Sequence, residues 1–258
     1  MLLIDEQYHD KLPRRYKVMK KLFNLILAAI VLMLPVLVTA QDSAHSFTGN
    51  VTLASDYLFR GQSQTNNNPT IQGGFDYAHE AGLFLGTWAS NINFAGDLEI
   101  DYYSGIAGET AGGLAWKLLG VYYQYPSSGD GNGVDYWEVG PSLSYTFGGD
   151  LAPKLGAGFL YSDDFSFNSG ESWWIFADLG FTLPNDFGLG FHIGQQSISD
   201  EAAWGAPDWL EYNASLSKVI GPYTFAVKVS DTDTSELECY GGANICDMAV
   251  VFSISGGF

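Results

Sequence analysis

"WWIFADLGFTLPNDFGLGFHIG", residues 173 to 194, decides the fold class. Trp173, Ile175, Leu179, Phe181 and Leu183 fall on one face, opposite Asp178, Gly180 and Thr182. After the turn "LPND", Phe187, Leu189, Phe191 and Ile193 repeat the pattern opposite Gly188, Gly190, His192 and Gly194. A period of two is the mark of a strand with two unlike faces. Two such runs joined by Pro, Asn and Asp make an antiparallel hairpin.

The same alternation runs through "NVTLASDYLFR", residues 50 to 60, where Val51, Leu53, Tyr57 and Phe59 stand opposite Thr52, Ala54, Asp56 and Arg60. It recurs in "IQGGFDYA", "PSLSYTFG" and "YTFAVKVS". The pattern predicts twelve strands, near 47–60, 69–79, 82–92, 97–109, 112–125, 134–148, 152–162, 171–183, 186–197, 208–220, 222–231 and 246–258. Those at 82–92 and 112–125 are apolar on both faces. Short turns such as "HEAG" and "IGP" alternate with longer polar loops such as "GQSQTNNNP" and "DTDTSELECYGGANIC". That asymmetry belongs to outer-membrane barrels, with short turns in the periplasm and long loops outside. An even strand count leaves both chain ends on the periplasmic side.

Composition points the same way. Charged residues are 16% of the 258, aromatics are 15%, and there are 31 glycines. An average soluble domain carries about 25% charge. In lipid every backbone N–H and C=O needs a protein partner, and a closed sheet supplies them all. The fold expected is therefore all-β: a transmembrane antiparallel up-and-down β-barrel of about twelve strands. A soluble antiparallel barrel or sandwich is the alternative with the same period. Tyr57, Phe59, Tyr77, Tyr102, Tyr145, Trp173 and Tyr223 are expected at the interfacial girdles.

The N-terminus reads as a leader. Arg14, Arg15, Lys17, Lys20 and Lys21 precede an apolar run from Leu22 to Val38, and Val38-Thr39-Ala40 suits cleavage before Gln41. Residues 1–40 are thus expected to be a signal peptide and 41–258 the barrel. Met19 also opens like a start, which would make 1–18 an extension. Six of the 11 basic and three of the 29 acidic residues precede Gln41, leaving 5 and 26 and a net charge of −21. Nucleic acid, which requires a basic face, is excluded as a partner. The reading calls for no cofactor and no metal.

"MAVVFSISGGF" ends on Phe258. It resembles the C-terminal recognition strand of bacterial outer-membrane proteins, which makes outer-membrane lipid and the barrel assembly machinery the expected partners. Gly256 stands where a bulky residue is usual. Cys239 and Cys246, the only cysteines, share the last long loop of an exported chain, so a disulfide is expected.

"SDYLFRGQSQT" and "PTIQGGFDYAHEAGLFLGTWASN" resemble the TorF-type porin family. The resemblance rests on Ser55, Asp56, Tyr57, Phe59, Arg60, Gly61, Ser63, Gln64, Gln72, Gly73, Gly74, Tyr77, Gly82, Gly86, Trp88, Ala89 and Ser90. It implies an outer-membrane barrel with a pore and brings no catalytic residue.

Seven acids, Asp56, Asp76, Glu99, Asp101, Glu138, Asp178 and Glu211, fall on polar strand faces with Arg60, Lys154, His192 and Lys228. As pore-lining groups they would favour cations mildly. In a closed barrel they would pair with one another instead, giving a structural or surface-binding protein without channel activity. Arg60 is expected to pair with Asp56. Lys117 and Lys218 are left open. No "GxSxG" and no Ser–His pair on a lipid face suggests an enzyme. The expected function is passive diffusion of small solutes.

Overall fold

A computed structural model describes residues 44–129 and 133–258. The expected leader and cleavage site lie outside them. Twelve strands close into one antiparallel barrel. They are β1 His45–Ala54, β2 Thr70–His79, β3 Leu83–Asn91, β4 Leu98–Glu109, β5 Leu114–Gln124, β6 Tyr136–Thr146, β7 Lys154–Ser162, β8 Ser172–Leu183, β9 Phe187–Ile198, β10 Trp209–Ile220, β11 Tyr223–Thr232 and β12 Ala249–Gly257. Each pairs with its sequence neighbour, and β1 closes the ring on β12 from Asn50↔Gly257 to Ala54↔Ser253. The hairpin quoted first pairs Ser172↔Ile198 through Leu183↔Phe187 without interruption.

The alternation sorts side chains as the period requires. Val51, Leu53, Ile71, Phe75, Ile175 and Phe252 all project outward, and Phe252 is 63% exposed. A belt of this kind around a closed sheet has hydrocarbon as its solvent. The rings at the loop end anchor through their polar tips. Tyr122 and Tyr212 hydroxyls donate to Asp135 and Asp231, each at 3.2 Å, and Trp173 Nε1 donates to Glu171 at 2.8 Å. Of the expected girdle, Tyr102, Tyr145, Trp173 and Tyr223 are exposed on the outer surface.

The chain departs from a regular barrel at two places, each for a physical reason. Between β6 and β7 the ladder is broken at residues 140 and 141, between the pairs Val139↔Tyr161 and Ser142↔Gly158, where Pro141 has no N–H to offer. Gly140 accompanies it because a Cβ there would lie 1.8 Å from the carbonyl oxygen of Phe159.

The second departure corrects the sequence reading. β1 ends at Ala54, not near residue 60, and the chain then folds into the barrel. Leu58–Phe59 pairs with Gln62–Ser63 in a miniature hairpin. Arg60 (φ 48°) and Gly61 (φ 81°) form its two-residue turn, both in the left-handed region. Tyr57 and Phe59 therefore pack inside the barrel, against Trp88 and Tyr123, and do not join the outer girdle.

Candidate functional site: the finger and the lumen

The hairpin is a finger that crosses the lumen from the β1 side. Its base is held by Asp56, whose Oδ1 accepts from Ser63 Oγ at 2.7 Å and Thr65 Oγ1 at 2.6 Å. Its tip reaches the far wall. Arg60 Nη2 pairs with Glu138 Oε2 of β6 at 2.5 Å, and Nη1 donates to Gln196 Oε1 of β9. The guanidinium lies 4.5 Å from the ring of Trp174 and 4.6 Å from that of Phe59, a stacked cation–π arrangement. Trp209 Nε1 donates to the Arg60 carbonyl oxygen at 2.9 Å. At Gly61 a Cβ would meet Thr232 Cγ2 at 2.6 Å, so the tip touches β11 as well.

The expected Arg60–Asp56 pair does not form. The turn at Arg60–Gly61 carries the guanidinium away from Asp56 and onto Glu138. Both partners are deeply buried, Arg60 at 6% and Glu138 at 0% exposure. Such a pair has no water to replace it, so each charge depends on the other.

Around the finger the outer half of the lumen is filled. Ile92, Val121, Tyr123, Tyr125, Val134 and Tyr136 pack with Phe165, Ile198 and Trp209. Glu99 and Asp101 of β4 are buried in this region, and Tyr57 hydroxyl donates to Glu99 Oε1 at 3.1 Å. Tyr123 hydroxyl donates to Glu138 Oε2 at 3.1 Å.

The inner half is different. A cavity of about 620 Å³ is walled by small residues, including Gly156, Gly180, Gly190, Ser142, Ser144 and Ala115. Asp178, His192 and Lys154 reach it, as does Lys117, which the sequence left open. His192 Nδ1 lies 2.7 Å from Asp178 Oδ1, and Nε2 lies 3.5 Å from Glu211 Oε1. Trp174 Nε1 donates to the same Glu211 oxygen at 2.9 Å, so a polar chain links the finger tip to the inner cavity. Asp76 of β2 accepts from Tyr103 hydroxyl at 2.5 Å. Lys228 of β11 lines the adjoining space with Glu211 and Arg60. Every interior residue expected from the sequence thus faces the barrel interior, but they divide by depth. Asp56, Arg60, Glu99, Asp101 and Glu138 hold the outer half; Glu211 and Lys228 lie against the finger, and Asp76, Lys154, Asp178 and His192 line the inner half.

Trp174, Gln196 and Trp209 were not singled out from the sequence. Parity on their strands could have placed them inward, but nothing in a single sequence shows that a loop arrives to meet them. Lys218 turns outward at the short-turn rim, where its ammonium reaches the Asn185 carbonyl oxygen and lies over the Phe187 ring. The Cys239–Cys246 disulfide is formed, with Cα atoms 6.0 Å apart.

A closed twelve-stranded barrel with an apolar belt, short turns at one end and loops at the other is an outer-membrane β-barrel. The chain belongs to the bacterial family described as "bacterial protein of unknown function (Gcw_chp)", whose profile matches residues 39–258. Two solved structures share the architecture. The KdgM porin is 6% identical over 82% of this chain and 99% of its own, with a TM-score of 0.57. The NanC porin is 10% identical over 83% and 99%, with a TM-score of 0.54. KdgM has also been solved in complex with disordered oligogalacturonate. At such identity the likeness is one of fold. No protein of curated function matches the chain in sequence.

Proposed function

We propose that the protein is an outer-membrane porin through which small solutes diffuse, with the finger controlling its outer half. One observation carries this reading. The inward positions around the inner cavity are mostly Gly, Ala and Ser, with Lys117, Lys154, Asp178 and His192 among them, which leaves open space where a purely structural barrel would pack side chains. Two further points support it. KdgM and NanC, which share the fold, are porins. The residues that resemble TorF-type porins from Ser55 to Gln64 build the finger, so the resemblance falls on the element that governs access.

The sign of selectivity would be set in the outer half, where any path must pass the finger. There Asp56, Glu99, Asp101 and Glu138 outnumber Arg60, which favours cations. In the inner half Lys117 and Lys154 offset Asp76 and Asp178, and beside the finger Lys228 offsets Glu211. Export through a leader cleaved after Ala40, and insertion by the barrel assembly machinery through the strand ending at Phe258, belong to the same proposal.

A closed barrel without channel activity is the second reading, favoured by the buried Arg60–Glu138 contact. Planar-bilayer recording of the purified protein separates the two. Discrete conductance steps, with a reversal potential of cation-selective sign in a KCl gradient, are expected. Anion-selective reversal would overturn the assignment of the acids. Silence from folded wild type and from a variant lacking the Arg60 guanidinium would establish the closed barrel.

A further inference from the structure

The long loops and the finger build a second cavity at the outer end of the barrel, of about 560 Å³. Four rings line it: Phe94, Phe167, Trp204 and Tyr240. Four side-chain amides line it with them: Gln62, Gln64, Asn66 and Asn93. Although the chain carries 29 acids, no charged side chain among the described residues borders this cavity.

Several details show a built site. Trp204 stands between its neighbours, 5.7 Å from the Tyr240 ring and 6.1 Å from that of Phe167. Phe167 (φ 62°) and Tyr240 (φ 48°) both hold the left-handed backbone region, which bulky side chains avoid. Strain of that kind at two rings of one cavity is the sort that function retains. Gln62 is 2% exposed. Its Oε1 accepts from Tyr240 hydroxyl at 2.6 Å, while its Nε2 has no partner among the described residues. Trp204 Nε1 is likewise a buried donor without a partner. Both nitrogens are closed off from water, so the groups a ligand would meet in the cavity are the ring faces and the amides of Gln64, Asn66 and Asn93.

The ligand must present an apolar face to the rings and many hydroxyls to the amides, and carry no charge. We propose that this cavity binds a neutral saccharide of one or two pyranose rings, its C–H face stacked on Trp204 and its hydroxyls held by Gln64, Asn66 and Asn93. A purely aromatic ligand would leave the amides unpaired, and a site built to hydrogen-bond discriminates strongly against such analogues. The disulfide serves the same site, because Tyr240, Ala243 and Ile245 lie between its cysteines and form one wall.

The test uses the full-length protein folded in a detergent without a sugar headgroup. Saturation-transfer NMR and calorimetry with maltose, cellobiose and N,N′-diacetylchitobiose are the readouts. At least one of the three is expected to saturate the wild type. Trp204→Ala should abolish that binding. Asn93→Ala, at an exposed rim position, should weaken it about tenfold with the barrel intact. Heat-shifted gel mobility checks folding of both variants. Failure of all three sugars to bind, unchanged binding in both variants, or saturation by indole but by no sugar would each overturn the proposal. Channel conductance is not a readout here, so failure of this site leaves the porin reading standing.

Discussion

Arg60 and Glu138 meet at 2.5 Å across the width of the barrel, 78 residues apart in sequence. One belongs to a loop finger and the other to the far wall, so this contact holds the finger in place. Arg60→Ala removes the cation and leaves Glu138 buried alone, which costs about 3–5 kcal/mol and releases the finger. The expected result in planar bilayers is a larger and less variable conductance than wild type. Glu138→Gln keeps a hydrogen-bond acceptor for the guanidinium and should open the channel less. Equal conductance in wild type and both variants would show that the finger does not control passage.

The barrel itself was legible because its cause is local. Hydrocarbon outside and water inside impose a two-residue period on the strands, and with the turn residues between them eleven of the twelve strands fell with both ends within three residues of expectation. The finger was not legible, because its cause is distant. Tyr57 and Phe59 continue the alternation of Val51 and Leu53, yet they face tertiary partners on both sides. The local clue was Gly61 after Arg60, a turn pair inside a run that otherwise reads as strand. The apolar inner faces of β3 and β5 were the other half of the same fact. Trp88 and Tyr123 are inward and apolar because Tyr57 and Phe59 come to meet them. Interior charges were legible by parity, but their division into outer and inner groups was not, since it depends on how far the finger reaches.

Neighbouring positions on β8 test the two solvents directly. Leu179 faces lipid near the middle of its strand, opposite Phe191. Gly180 faces the lumen, where a Cβ would meet nothing within 4 Å. Leu179→Lys should destabilise the barrel by about 2–4 kcal/mol, as a lysine near the bilayer midplane does. Gly180→Lys should leave stability close to wild type and shift the reversal potential toward anions. Chemical unfolding in lipid vesicles measures the first effect and bilayer recording the second. Equal destabilisation by both would refute the assigned faces.

Phe258 closes the chain against Gly49. The backbone bonds run both ways, Phe258 N to Gly49 O and Gly49 N to Phe258 O, each at 2.9 Å. A Cβ on Gly49 would lie 2.6 Å from the Phe258 ring, so the ring occupies the space that the glycine leaves. Phe258→Ala removes both the ring and the terminal aromatic residue. Folding in detergent should fall slightly, while the amount reaching the outer membrane in cells should fall severalfold. If both fall alike, the residue acts through packing and carries no signal for assembly.

Cys239 and Cys246 close a short loop whose contacts reach the finger. Thr232 Oγ1 donates to the Cys246 carbonyl oxygen at 2.9 Å, and Ser63 N donates to the Ile245 carbonyl oxygen at 2.8 Å. The disulfide therefore restrains the segment that grips the finger from outside. Closing so short a loop contributes about 2–3 kcal/mol in the chain-entropy picture. Cys239→Ser with Cys246→Ser should speed protease cleavage within residues 233–248 and leave the strands resistant. It should also raise the frequency of opening events in bilayers, because Ser63 and Gln62 lose their outer support. Rapid cleavage without any change in gating would mean that the loop clasps the finger but does not hold it shut.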